Sequence, residues 1–206
     1  DGYILIPASQ RGPADIPARY DAWSVALRGV APIDHALEIQ GSGLIFDDHR
    51  LRGLAATASR SRGADASVKL VGRGRWGFEA LAYVQERSFR SGFVATAADR
   101  SSTTTTLDQF NTPSIGFGAK IEVRPPVGNT NSLRIGADIR DASGRTNEFF
   151  RFLAGAATRL RRAGGSNTTY GGFVEGSTII GPLTLTGGAR LDRWSIKSGF
   201  LTESAT

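Results

Sequence analysis

The chain has 206 residues, 40% of them hydrophobic, a content that excludes a disordered tail and fits one large domain or two small ones. It has no cysteine, which excludes disulfides and thiolate metal sites but leaves the redox compartment open. The net charge of +6 is spread along the chain with no helical module or aromatic ribonucleoprotein motif, so it does not point to nucleic acid.

No window reaches the roughly 18 consecutive apolar residues of a membrane helix, whereas a barrel strand needs only about 9–11 residues with every second one apolar. The chain opens at Asp1 with neither a charged n-region nor an apolar h-region. The expectation is therefore a mature product, a fragment or part of something longer.

Strict period-two alternation predicts strands in series. In "WSVALRGV" (23–30), Trp23, Val25 and Leu27 share one face. In "ALEIQGSGLIF" (36–46), Leu37, Ile39 and Ile45 oppose Glu38, Gln40 and Ser42. "SVKLVGR" (67–73) and "FEALAYVQERSF" (78–89) follow. In the pair spanning 114–140, Ile115, Phe117, Ala119, Ile121 and Val123, then Leu133, Ile135, Ala137 and Ile139, alternate with Lys120, Glu122, Arg124, Arg134, Asp138 and Arg140. "TYGGFVEGS" (169–177) and "LTLTGGARLDRW" (183–194) complete four hairpins, at about 23–46, 67–89, 114–140 and 169–194.

The connections within hairpins read as short. Those between them, about 47–66, 90–113 and 143–168, read as long polar loops, all on one edge. That sorting favours a membrane barrel over a soluble sandwich. A barrel turns its apolar face to lipid and its polar face to a wet lumen. The expected lumen residues are Arg28, Lys120, Glu122, Arg124, Arg134, Asp138, Arg140 and Arg190. Trp23, Trp76, Tyr83 and Trp194 are the expected interfacial aromatics. Arg159, Arg161 and Arg162 are candidates for contacts to lipopolysaccharide phosphates or an anionic substrate, against a plain solvated rim.

Two motifs point elsewhere. "GRGRWG" (Gly72–Gly77) satisfies G-x-G-x-x-G, with Asp99 at a dinucleotide-site spacing, but lacks the helices a doubly wound sheet needs. The barrel reading makes it a tight turn. "DDH" (Asp47, Asp48, His49) has carboxylate and imidazole ligands, but no second cluster supports a metal, and His35 lies apart in a turn. No serine has a histidine placed beside it, so no catalytic residue and no cofactor are assigned.

The segments "ADASVKLVGRGRWGFEALAYVQERSF" and "GGFVEGSTIIGPLTLTGGARLDRWSIKSG" resemble barrel segments of TonB-dependent outer-membrane receptors, and the resemblance runs from about Ala22 onward. It implies an all-β, antiparallel transmembrane β-barrel of about 22 strands around a plug domain. This chain, with eight clear strands and no plug, is expected to be an internal part of one. The implied function is energy-coupled import of a scarce ligand, most simply a ferric siderophore. Implied partners are the remaining barrel and plug segments, TonB acting through the plug, outer-membrane lipid and lipopolysaccharide, and a surface-exposed or lipoprotein partner. The alternatives are a passive porin or small barrel, and a soluble dinucleotide-binding enzyme.

Overall fold

The computed structural model describes residues 2–206. Eight antiparallel strands form one sheet in chain order: β1 (Arg19–Pro32), β2 (Leu37–Leu51), β3 (Ala58–Arg73), β4 (Gly77–Thr96), β5 (Thr103–Arg124), β6 (Asn131–Leu153), β7 (Ala156–Ile180) and β8 (Leu183–Ala205). β1 and β8 do not pair with each other, so the sheet has two open edges.

The register carries the alternation across every strand. One row of directly opposed residues runs Ala31, Ile39, Leu70, Ala80, Ile121, Ala137, Gly172 and Leu191, without a single charge. The adjacent row, on the opposite face, runs Pro32, Glu38, Val71, Glu79, Glu122, Gly136, Phe173 and Arg190. Successive side chains alternate faces, so one face is apolar and the other polar.

The polar face is the better covered. Glu122 is 1% exposed, whereas Ile121 beside it is 51% exposed and Ile135 is 48% exposed. In a single curved layer, side chains converge on the concave side and splay on the convex side. The polar face is thus concave and the apolar face convex, the reverse of a water-soluble sheet folded around its core. Among the described residues the buried hydrophobics are only Ala14 and Val71. The accessible surface is 13443 Å². A compact monomer of this size exposes about 9,300 Å². The apolar surface is not folded onto itself.

Glycines on the polar face lie under neighbouring rings. A Cβ on Gly118 would meet the Tyr83 ring at 2.5 Å, and one on Gly136 would meet the Phe173 ring at 2.4 Å. Each ring covers the backbone of the strand beside it, a known way of compensating a strand glycine.

The segments expected as long loops, 47–66, 90–113 and 143–168, are mostly strand, which corrects that expectation. The connections at that end are only 52–57, 97–102 and 154–155, and those at the other end are 33–36, 74–76, 125–130 and 181–182. What is long is the hairpin arm beyond the apolar rows. Ala154 (φ 50°) and Gly155 (φ 82°) close the longest arm with two left-handed residues, as a tight I′-type hairpin requires. Beyond the apolar rows both faces are polar: Asp141, Ser143 and Arg145 lie on one, and Arg87, Glu148 and Arg161 on the other. With both faces wet, alternation disappears from the sequence while the backbone ladder continues.

Residues 2–18 cross this far end. Ala14 N donates to Arg100 O (3.0 Å) and Ile16 N to Gly53 O (3.0 Å). The Asp15 carboxylate accepts from Arg100 Nε (2.7 Å) and from Gly12 N (2.9 Å). The Arg100 hydrogen bond, seconded by that from Gly12, lowers the Asp15 pKa to about 2.

Candidate functional site

The polar face is an ion-paired wall. Glu122 sits midway between three cations because β5 alternates Lys120, Glu122 and Arg124 on one face and β6 brings Arg134 alongside. Lys120 Nζ donates to Glu122 Oε2 at 3.0 Å, Arg124 Nη2 to Oε1 at 2.7 Å, and Arg134 Nη2 to Oε2 at 3.1 Å. Arg134 Nη1 also donates to Glu175 on β7 (3.0 Å), and Lys69 pairs with Glu79 on β4 (2.8 Å). A carboxylate so withdrawn from water needs such partners, and these charge-assisted bonds supply them. Lys120 Nζ lies 5.5 Å from the Phe173 ring centroid, adding a cation–π contact.

A second group surrounds Asp138. Arg190 Nη1 donates to it at 2.8 Å, Arg140 Nε lies 3.5 Å away, and Arg190 reaches Asp192 at 2.6 Å. Arg28 donates to Gln40 Oε1 (3.0 Å), which in turn donates to Glu38 (2.6 Å). All eight residues expected to share the lumen side therefore lie on one face. The surplus of cations foreseen there is largely matched by carboxylates. Such a surface holds water and polar solutes, and offers no nucleophile paired with a base.

Three sites foreseen from motifs do not assemble. Gly72–Gly77 spans the end of β3, a turn at 74–76 and the start of β4, so "FEALAYVQERSF" is strand and the dinucleotide reading falls. Among the described residues the only helix is a short 3-10 turn, Ala8–Gln10. Asp47 pairs with Arg60, while Asp48 faces the other way and binds Arg50 at 2.8 Å. His49 shares its face with Asp47, which is taken up by Arg60, and with the directly opposed Asp21, and no metal-holding cluster occurs among the described residues. His35 lies in the 33–36 turn.

The chain matches the family model "TonB dependent receptor-like, beta-barrel" over residues 14–205. It belongs to the TonB-dependent receptor β-barrel family. This family is one of outer-membrane transport proteins, not enzymes, and among the described residues no helix is long and apolar enough to cross a membrane. No curated protein matches the chain. Among solved structures, the beta domain of the Bordetella autotransporter BrkA covers 91% of this chain and 90% of its own, at 11% identity and a TM-score of 0.34.

Within this TonB-dependent receptor barrel the three arginines of "TRLRR" do not form one patch, which corrects their grouping. Arg161 shares the polar face with Glu148 and Glu203, pairing with both and lying 4.7 Å from the Phe150 ring centroid. Arg159 stands opposite Phe150 on that same face, and Arg162 points to the other, opposite Asn147. Of the aromatics, Trp23 stands on the apolar face opposite Asp47 and Trp76 lies in the 74–76 turn. Tyr83 and Trp194 instead occupy the polar face, in the row that joins Arg28, Gly118 and Arg140. Nearness to a strand end does not fix which face an aromatic takes; the register does.

One group went unread. Arg60, Arg62 and Arg90 stand together on the convex face, beside a stacked Phe110–Phe149 pair with centroids 4.6 Å apart. The signal was available in "SRSRG" (59–63), where arginines two apart on a strand must share a face.

Proposed function

We propose that this chain is part of the wall of an energy-coupled outer-membrane transporter that imports a scarce ligand, with ferric siderophores as its ligand class. The observation that carries this reading is the inversion of the sheet, apolar and convex on one side, polar, concave and ion-paired on the other. That is the section of a barrel embedded in lipid around a wet interior. The two unpaired edges could not persist in hydrocarbon, so β1 and β8 pair with further strands that complete the barrel. Glu122, Asp138 and their cations then line the lumen and face a plug, and TonB acts through that plug.

The hairpin arms stand on the extracellular side as ligand-capturing walls. Support for an anionic, partly aromatic ligand comes from their inner surface. There the Phe150 ring has Arg161 at 4.7 Å and Arg151 at 5.9 Å from its centroid, with Arg159 opposite across the strands. Cationic and aromatic groups together suit a negatively charged chelate with flat ligand arms.

Uptake of radiolabelled iron chelates by iron-starved cells, with and without this gene and with and without TonB, tests the reading. Uptake that needs both supports it. Uptake that needs the gene but persists without TonB makes the protein a passive barrel, and unchanged uptake without the gene removes the iron assignment.

A further inference from the structure

Charges on the convex face differ from those on the concave one. Arg73, Arg87, Arg124, Arg134, Arg161 and Arg190, all concave, each meet a carboxylate. On the convex face Arg60 is held by Asp47, but Arg62 and Arg90 have no carboxylate within salt-bridge distance among the described residues. Arg60 and Arg90 are nonetheless directly opposed across β3 and β4. Like charges in that position destabilise a sheet unless an anion joins them.

Height is the second observation. On β1–β5 the last mostly apolar convex row is Val25, Ile45, Ala64, Glu86 and Ile115, whereas on β6 and β7 the same row is already polar, with Ser143 and Ser166. Arg62 stands two residues above it, Arg60 and Arg90 four. At about 3.4 Å per residue and a tilt of about 35–45°, these steps rise about 5 and 10 Å above the hydrocarbon edge. The polar headgroup layer is about 5–8 Å thick on each side, so Arg62 stands within it, and Arg60 and Arg90 stand just above it, within reach of lipid phosphates through their long side chains. They border a hollow of about 280 Å³ together with Ser88, Phe110 and Asn111, open outward.

We propose that this hollow binds a phosphate group of an outer-leaflet lipid, with Arg62 and Arg90 as its principal donors and the Phe110–Phe149 stack against the adjoining sugar or glycerol. The proposal rests on the membrane reading above. Asp47 is engaged by Arg60; Asp21 lines a neighbouring hollow with Arg90, and Glu86 one with Arg62, on the same face.

The test uses the full-length protein in detergent. Native mass spectrometry would follow its retention of a bis-phosphorylated glycolipid, the same glycolipid without phosphates, and inorganic phosphate, for wild type and Arg62→Ala/Arg90→Ala. The expected result is retention of the phosphorylated lipid, weakened at least about tenfold by removing either its phosphates or the two arginines, since one charge-assisted bond accounts for that factor. Equal retention of the dephosphorylated lipid, or an unaffected double variant, overturns the site. Inorganic phosphate held as tightly as the lipid overturns the lipid source in favour of a free anion. Insertion of both proteins into vesicles is measured in parallel. A wild type that fails to insert overturns the membrane reading, whereas an inserted wild type with no lipid preference overturns only this site.

Discussion

The convex apolar face is most directly tested by placing one positive charge at two depths. Ala119 is the middle of the five outward residues of β5 (Ile115, Phe117, Ala119, Ile121 and Val123) and is exposed, so arginine fits there without steric cost and with little loss of packing. Ile115 is the outermost of the five, in the last mostly apolar row. If this face meets lipid, Ala119→Arg costs about 2–4 kcal/mol and Ile115→Arg about 0–1 kcal/mol. At about 1.4 kcal/mol per tenfold change, the first lowers the folded-to-unfolded ratio by about thirtyfold to several hundredfold, the second by fivefold at most. Ser67→Arg on the concave face supplies the control, losing about 0.5–1.5 kcal/mol with its hydrogen bond to Ser42 (2.8 Å). Guanidinium unfolding of the full-length protein in lipid vesicles, with all variants at one lipid ratio, measures the differences. Equal stability of Ala119→Arg and Ile115→Arg within about 0.5 kcal/mol would refute the embedding of this face in hydrocarbon.

Glu122→Ala strands Lys120, Arg124 and Arg134 without their shared acceptor. A loss of about 1–3 kcal/mol is expected in the same unfolding assay, because the three cations keep partial access to water. Gly118→Ala and Tyr83→Ala each destabilise, but the double variant loses less than their sum because the Cβ clash is with the Tyr83 ring itself; additive losses would disprove that contact. The Asp15 pKa falls from 3.8 unfolded to about 2 folded, so its docking contribution is complete above pH 3.8 and disappears as pH falls through 2. A spin label at Ser9 should therefore become mobile over that interval, and at neutral pH in Asp15→Asn. A label equally immobile at pH 2 would contradict the coupling.

The pairing of Lys120, Glu122 and Arg124 on one face, and of Ile121 and Val123 on the other, follows from the sequence alone. A strand alternates its side chains, and here one side is apolar and the other charged. All eight strands and the all-β class were visible for that reason. Their extensions were not, because Arg87, Ser88, Ser143 and Glu148 lie where both faces are wet and no alternation marks the strand. Tertiary structure alone decided which residues meet. The register sets Gly136 under Phe173, makes Glu122 the hub of three cations, separates Arg162 from Arg161, and brings Arg90 of β4 opposite Arg60 of β3. Pairing between strands depends on alignments tens of residues apart in the chain. A one-residue slip would reverse each of those faces, so local composition determines that a strand forms while the register determines what it does.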